Sequence, residues 1–106
     1  MSYPFLSLKI VTKSIPVAKR KRVSLVARSR DGFVAAYQLV GDWRGLGNRW
    51  LKKRDAFIAR HMAQMIANDE PFYDDVGEPT RRHLALIMWA YSPDPVGVAC
   101  WTKERS

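Results

Sequence analysis

Cysteine is nearly absent from this sequence of 106 residues, which contains Cys100 and no other. A single cysteine excludes an internal disulfide, so a reducing cytoplasm is the expected compartment. Cys100, His61 and His83 are far apart in the sequence and lack the paired spacing of a zinc site. We therefore expect neither a bound metal nor another cofactor.

Long hydrophobic runs are also missing. The longest covers 84–91, well short of the roughly 20 apolar residues that a membrane-spanning helix needs. Residues 1–10 lack the basic start, apolar stretch and cleavage site of a secretory signal. These absences predict a soluble, intracellular protein without a membrane partner.

Acidic side chains are scarce in the first part of the chain. Residues 1–60 contain fourteen Lys and Arg but three acids, whereas residues 61–106 contain four basic and seven acidic residues. The net charge is therefore +11 in the first segment and −3 in the second, within a total of +8. Because crowded like charges do not stabilise a compact domain, this excess indicates a polyanionic partner, and nucleic acid is the first candidate.

Local patterns predict β structure near the start of the chain. Apolar and polar residues alternate over 5–13 with the period of a half-buried strand. Residues 23–30 and 33–40 are rich in β-formers, and Asp31 and Gly32 between them suit a type I′ turn. We therefore predict a first strand, a connecting loop with four consecutive cations, and a β-hairpin.

The rest of the chain is predicted to be mainly helical. Residues 49–67 carry apolar residues on one side and Lys and Arg on the other, as in an amphipathic helix that begins after Asn48. A second helix, apolar almost all round, is predicted over 80–91, and a short strand over 96–101. The predicted fold class is therefore α+β, with an antiparallel sheet of three or four strands and two helices packed on one face. We expect a single domain with a β-rich part in 1–41, a helical part in 48–91, and a short strand and tail in 92–106.

The predicted hairpin supplies the first candidate nucleic-acid site. Aromatic rings can stack on bases of any sequence while flanking arginines neutralise phosphates, which favours single-stranded nucleic acid. The alternative is a second core face with arginines at its edge. Eight side chains share this face in the predicted register, and the candidate binding residues among them are Arg28, Arg30, Phe33 and Tyr37.

The basic side of the long helix supplies the second candidate site, together with the four cations of the connecting loop. Cations at helical spacing can follow a phosphodiester backbone. A solvated helix face is the alternative, but Asp55 is the only acid in this helix, which favours binding. The predicted phosphate contacts are Lys19, Arg20, Lys21, Arg22, Arg49, Lys52, Lys53 and Arg60. In the glycine-rich turn over 41–48, Arg44 could form an additional stacking corner with Trp43 and Trp50.

Three further patterns have structural interpretations. The glycines of that turn match neither a dinucleotide fingerprint nor a P-loop. Arg54 lies on the apolar side of the predicted helix, so we expect it to pair with an acid unless the helix phase is wrong. The acids between the two helices are interpreted as a solvated linker or a patch for a basic partner, rather than as a catalytic pair or a magnesium site. These acids are Asp69, Glu70, Asp74, Asp75 and Glu78.

The leading hypothesis is a non-enzymatic protein that binds nucleic acid through its backbone and stacks bases on aromatic rings, with little sequence specificity. The alternative is a small endoribonuclease of toxin type, in which His61, Tyr37 and Arg28 or Arg30 would act on RNA. No recognisable catalytic motif connects these residues, so no catalytic residue is assigned.

A third alternative is an inhibitor that binds a protein partner. The chain length, the charge imbalance and the lack of a catalytic signature resemble small phage-encoded counter-defence proteins, among them anti-CRISPR proteins. Those proteins share no fold or motif, so the resemblance assigns no residue. It implies obstruction of a nucleic-acid-guided complex, either by covering an acidic protein surface or by occupying exposed DNA or RNA.

Overall fold

A computed structural model of the chain describes residues 3–23 and 27–93, and these residues are mainly helical. The helices are α1 (Leu8–Arg20), α2 (Phe33–Val40), α3 (Asn48–Ala67) and α4 (Arg81–Ile87), with a 3₁₀ turn at Trp43–Gly45 before α3. The short helix α4 is central, because α1 and α3 both pack against it and α2 packs against α1. The one β feature in these residues is an isolated bridge between Tyr73 and Pro79.

The predicted α+β class is wrong, because the described residues contain no sheet. The first predicted strand is the start of α1, where the Ser7 hydroxyl caps the helix by accepting a hydrogen bond from the Ile10 backbone N–H at 3.3 Å. Leu8, Val11 and Ala18 lie on one face of this helix, and Val11, which the strand pattern placed on the polar side, is 0% exposed. A short apolar run can fit a strand pattern and a helix pattern together, and here core packing selects the helix.

The predicted hairpin is wrong as well. Gly32 is the N-cap of α2 with a φ of −89°, so it lacks the positive φ of a type I′ turn. The second predicted strand is α2, which buries Phe33, Val34 and Tyr37. It ends at Gly41, a left-handed residue with a φ of 76°. Burial of one helical face against the core therefore outweighs the β propensity of these residues.

The helical part of the chain agrees more closely with the prediction. The helix predicted over 49–67 is confirmed as α3, which begins one residue earlier. The second predicted helix is confirmed as the shorter α4, with Thr80 as its N-cap. The predicted strand at 96–101 and residues 24–26 of the predicted hairpin lie outside the described residues.

The aromatic side chain of Trp89 lies where the helices meet. Its ring stacks on Phe33 of α2 at 5.1 Å between centroids and on Phe57 of α3 at 4.9 Å. Phe33 in turn contacts the ring of Trp50 edge-on at 6.0 Å. This cluster fixes the start of α2 beside the first turns of α3, which positions the candidate site described below.

A buried arginine on α3 joins distant parts of the chain. Arg54 is 0% exposed, and its guanidinium lies 3.6 Å from the ring centroid of Phe5. It donates hydrogen bonds to the backbone carbonyls of Tyr3 (3.0 Å), Pro4 (2.5 Å), Trp89 (2.6 Å) and Ala90 (2.8 Å). The predicted helix phase was therefore correct, but the expected acidic partner is replaced by backbone carbonyls.

Burial lowers the pKa of Arg54 to about 10, so the guanidinium remains protonated at neutral pH. Its planar fork suits several carbonyl acceptors at once, which a lysine ammonium would match less well. The four bonds hold residues 3 and 4 against the segment that follows α4. Arg54 is thus a structural residue, although it is one of five Lys and Arg residues in α3.

Candidate nucleic-acid interface

The side of α3 that faces away from the core carries four accessible cations. Arg54, Ile58 and Met65 form the buried side of the helix. At about 100° per residue, the four cations point away from that side, and all four are exposed. We use the name outer face for these residues: Arg49, Lys52, Lys53 and Arg60.

These cations have no acidic partner nearby. Among residues 3–23 and 27–93, no Asp or Glu lies within 4.0 Å of any of them. Asp55, the one acid of α3, is half-buried and takes part in no ion pair with the described residues. The outer face is therefore a row of uncompensated charge that extends over about 16 Å of helix from Arg49 to Arg60.

Two aromatic rings lie beside the row. The Lys53 ammonium is 5.4 Å from the centroid of Trp50, and the Arg60 guanidinium is 5.9 Å from the centroid of Phe57. Both rings are half-buried and both cations are exposed. Such cation–π contacts are weak at the surface, so they orient the charged groups without neutralising them.

Arg30 lies close to this row of cations. It lines a surface depression of about 220 Å³ that Trp50 of α3 also lines. The depression separates the turn before α2 from the first turn of α3, and Trp50 forms one of its walls. Its lining consists of Arg30, Asp31, Gly32, Ala35, Ala36, Leu39 and Trp50. The fold thus brings Arg30, predicted as part of a hairpin, near the start of the outer face.

The four consecutive cations at 19–22 do not form one phosphate-binding unit. Arg20 lies 2.6 Å from Glu78, and Lys21 lies 2.6 Å from Asp74 and 3.5 Å from Glu78. The hydrogen bond to Asp74 raises the pKa of Lys21, and the same bond lowers the pKa of Asp74. The acidic loop, residues 69–78 between α3 and α4, therefore supplies the internal partners of these two cations. Its interpretation as a solvated linker is wrong for Asp74 and Glu78.

The other two residues of this run lie at the end of α1. Lys19 and Arg22 are both exposed. Arg22 adopts a φ of 59°, and its carbonyl accepts a hydrogen bond from the Arg81 guanidinium at 3.2 Å. Their side chains remain available to solvent, whereas Arg20 and Lys21 are engaged.

The predicted stacking face does not exist. Phe33 is 0% and Tyr37 2% exposed, and the Tyr37 hydroxyl donates to the Leu6 carbonyl at 2.8 Å. Arg28 bends back and donates to the Val23 carbonyl at 2.6 Å. Of the two interpretations of these aromatic residues, burial in the core is the correct one.

Arg44 is accessible but already has neighbours. Its Nε lies 3.3 Å from Asp42 Oδ1, and its guanidinium is 5.6 Å from the ring centroid of Trp43. The Asp42 side chain also accepts a hydrogen bond from the Arg44 backbone N–H at 2.9 Å, which caps the 3₁₀ turn. Arg44 therefore belongs to a small local motif rather than to the outer face.

A second cluster of polar side chains surrounds His61. The Arg82 guanidinium lies 3.0 Å from His61 Nδ1, binds Glu70 through two contacts of 3.1 Å, and also donates to Gln64. Burial, together with the positive charge of Arg82, lowers the pKa of His61, while the hydrogen bond from Arg82 lowers the pKa of Glu70. The His61 imidazole stacks on Phe57 at 3.9 Å between centroids.

This cluster does not assemble the residues predicted for a ribonuclease. Tyr37 lies in the core and Arg28 bonds to its own turn, whereas Arg30 lines the depression next to Trp50. The sequence reasoning did not identify Arg82 as a partner of His61. The sequence feature that could have indicated this role is the pair Arg81 and Arg82, which follows the acidic residues of 69–78 after two positions.

The second histidine has a structural environment. His83 is 0% exposed, with Nδ1 2.8 Å from the Phe72 carbonyl and Nε2 2.7 Å from the Ser92 hydroxyl. It thereby joins the acidic loop to the segment after α4. No group of three His, Cys, Asp or Glu residues that could hold a metal ion is present in the part of the chain that the structure describes.

No helix among the described residues is both long and apolar enough to cross a membrane. Comparison with known proteins found no matching family model, no similar curated protein and no similar solved structure.

Proposed function

We propose that this protein is a non-enzymatic nucleic-acid-binding protein whose outer face on α3 contacts the sugar–phosphate backbone. The observation that carries the proposal is the row of exposed cations without an acidic partner among the described residues. Phosphate contacts supply most of the affinity in sequence-independent binding, and they require accessible Lys and Arg rather than a particular fold.

The dimensions of the row suit this partner. It extends about 16 Å along α3, and the phosphates of one nucleic-acid strand in a duplex are about 3.4 Å apart along the axis. A strand that follows the helix would therefore pass several phosphates within reach of the long, flexible Lys and Arg side chains. Neutralising about four phosphates gives a slope of log affinity against log salt of about −3 for single strands and about −3.5 for duplexes.

Cations that already form ion pairs within the protein contribute less to nucleic-acid binding. Arg20, Lys21 and Arg82 already form ion pairs with carboxylates of the acidic loop. A phosphate would have to displace those carboxylates before it gained the same contacts. The proposal therefore assigns binding to Arg49, Lys52, Lys53 and Arg60, with Arg30 at the edge of the site.

The proposal includes a cytoplasmic location, as the single cysteine predicts. The resemblance in general character to phage-encoded counter-defence proteins suggests a target in which DNA or RNA is exposed by a nucleic-acid-guided complex. On that target the outer face would compete with the complex for the nucleic-acid backbone. A pull-down of such a complex before and after nuclease treatment distinguishes this route from binding to the protein component.

The test is a comparison of two triple variants by fluorescence anisotropy with labelled oligonucleotides at two salt concentrations. Arg49→Gln, Lys53→Gln and Arg60→Gln together should weaken binding about 100-fold and reduce the magnitude of the salt slope by about 2. The control replaces Lys9, Lys13 and Arg81, which are exposed and lie outside the outer face, with Gln. It removes the same charge and should have a much smaller effect.

Circular dichroism melts establish that both triple variants are folded, as expected for exposed positions. Equal losses in the two variants would show that net charge, rather than the outer face, determines binding. The absence of wild-type binding at low salt to both single strands and duplexes would refute the proposed function.

A further inference from the structure

We propose that the depression beside Trp50 is a subsite for one unpaired nucleobase, which makes the protein selective for single strands. This inference rests on the proposed function, because the base would arrive on a strand whose phosphates contact the outer face. The depression has a volume of about 220 Å³, which accommodates the ring system of one base. It lies between the N-terminus of α2 and the first turn of α3.

Small side chains create this depression. Gly32, Ala35 and Ala36 line it, so the surface of α2 is low where a larger residue would fill the space. Leu39, one turn further along α2, lies at its edge and is 88% exposed. Leu39 is therefore not part of the core and is available to contact an apolar ring in the depression.

The wall formed by Trp50 suits base stacking. The indole is held by Phe33, whose centroid is 6.0 Å away, and by Trp89 at 6.3 Å. A ring fixed by its neighbours loses little conformational entropy when a base contacts it. Base–aromatic stacking accepts any base, which agrees with binding that lacks sequence specificity.

The charges around the depression favour a base inside it and phosphates outside it. Asp31 is exposed in the lining and repels a phosphate, but its carboxylate can accept a hydrogen bond from a base N–H. Arg30 in the same lining and Arg49 and Lys53 next to Trp50 are available for the flanking phosphates. The arrangement therefore separates a base position from the backbone positions of one strand.

Duplexes would use this subsite poorly. A paired base must be unstacked and turned out of the helix before it can enter, whereas a base of a single strand is already accessible. The outer face alone would still bind duplexes through their phosphates. The subsite thus predicts a preference for single strands that is independent of the salt-dependent contacts.

The experiment measures dissociation constants at one salt concentration for three labelled oligonucleotides of equal length: a single strand, its duplex and a single strand without bases. The wild-type protein should bind the single strand about tenfold more tightly than the other two. Ala35→Leu, which fills the depression without altering a charge, should remove this preference and leave binding of the baseless strand unchanged. Gln38→Leu adds a leucine to an exposed position of the same helix outside the lining and should keep the preference.

Leu39→Ser provides a second variant that cannot fail through loss of core packing, since Leu39 is exposed. It should reduce the preference about two- to fivefold. Equal binding of all three oligonucleotides by the wild-type protein, or an unchanged preference in Ala35→Leu, would overturn the subsite but leave the proposed function intact. Failure to bind any of the three would overturn both.

Discussion

The end of α1 and the outer face of α3 carry the same types of residue but differ in what lies opposite them. At the end of α1, Arg20 and Lys21 each have a carboxylate oxygen at 2.6 Å. On α3, Arg49 and Lys53 have none within 4.0 Å among the described residues. The density of cations in the sequence is thus a poor guide to a binding surface, and the lack of an internal partner is a better one.

The two sides of α3 extend this comparison to a single helix. Arg54 faces the core, where carbonyl groups and the Phe5 ring surround it. Arg49, on the other side, is exposed. The same guanidinium group therefore stabilises the fold in one position and is available to a partner in the other.

The largest expected effect is that of Arg54→Met. The substitution removes the guanidinium donor of four backbone carbonyls, of which Ala90 keeps the Leu6 N–H as a second donor, so the free energy of unfolding should fall by about 3 kcal/mol. Urea denaturation followed by circular dichroism measures this change. Arg49→Met is the matched control and should change the stability by less than about 0.5 kcal/mol. Similar losses in the two variants would contradict the assigned roles.

Intermediate effects are expected from replacing one lysine of the outer face, Lys53, and one lysine that is paired with the acidic loop, Lys21. Lys53→Gln should weaken oligonucleotide binding about three- to tenfold and leave the melting temperature unchanged. Lys21→Gln should do the opposite, with a lower melting temperature at low salt and little change in affinity, because it breaks the ion pairs with Asp74 and Glu78. If Lys21→Gln weakens binding as much as Lys53→Gln, the acidic loop does not withdraw that cation from the binding surface.

The smallest expected effect concerns His61, which is paired with Arg82. The folded protein lowers the pKa of His61 below its usual value of about 6.5, so the unfolded chain binds more protons below that pH. The contribution of His61 to stability is therefore complete above about pH 6.5 and is lost as the pH falls through its folded pKa. Melting temperatures between pH 7 and pH 5 should fall less steeply for His61→Gln than for the wild type. His83 is present in both proteins, so parallel curves would exclude this role for His61.

Part of the fold and of the candidate site could be predicted from the sequence. The long helix was predicted because its apolar and basic sides repeat with a period of 3.6 over about five turns. Its outer cations were predicted for the same reason. The first helix was missed because residues 5–13 also fit a period of two, and α2 was missed because Phe, Val and Tyr favour strands locally.

The partners of the charged residues could not be predicted. Lys21 and Asp74 are 53 residues apart in the chain, and Arg54 and Ala90 are 36 apart. Nothing in their local sequence indicates that they meet. The depression beside Trp50 likewise combines the turn before α2 with the start of α3, so it exists only once those helices are packed.

By itself, the sequence determined that α3 has one apolar and one basic side, because helical periodicity depends on residues that are close in the chain. The tertiary structure decided which cations have internal partners, because ion pairing depends on distances between segments that only packing brings together. It also decided that 8–20 and 33–40 are helices, since burial of one face against the core outweighed local propensity. The local pattern therefore predicts which side of α3 is basic, but the fold decides that the cations of this side have no internal acidic partner among the described residues.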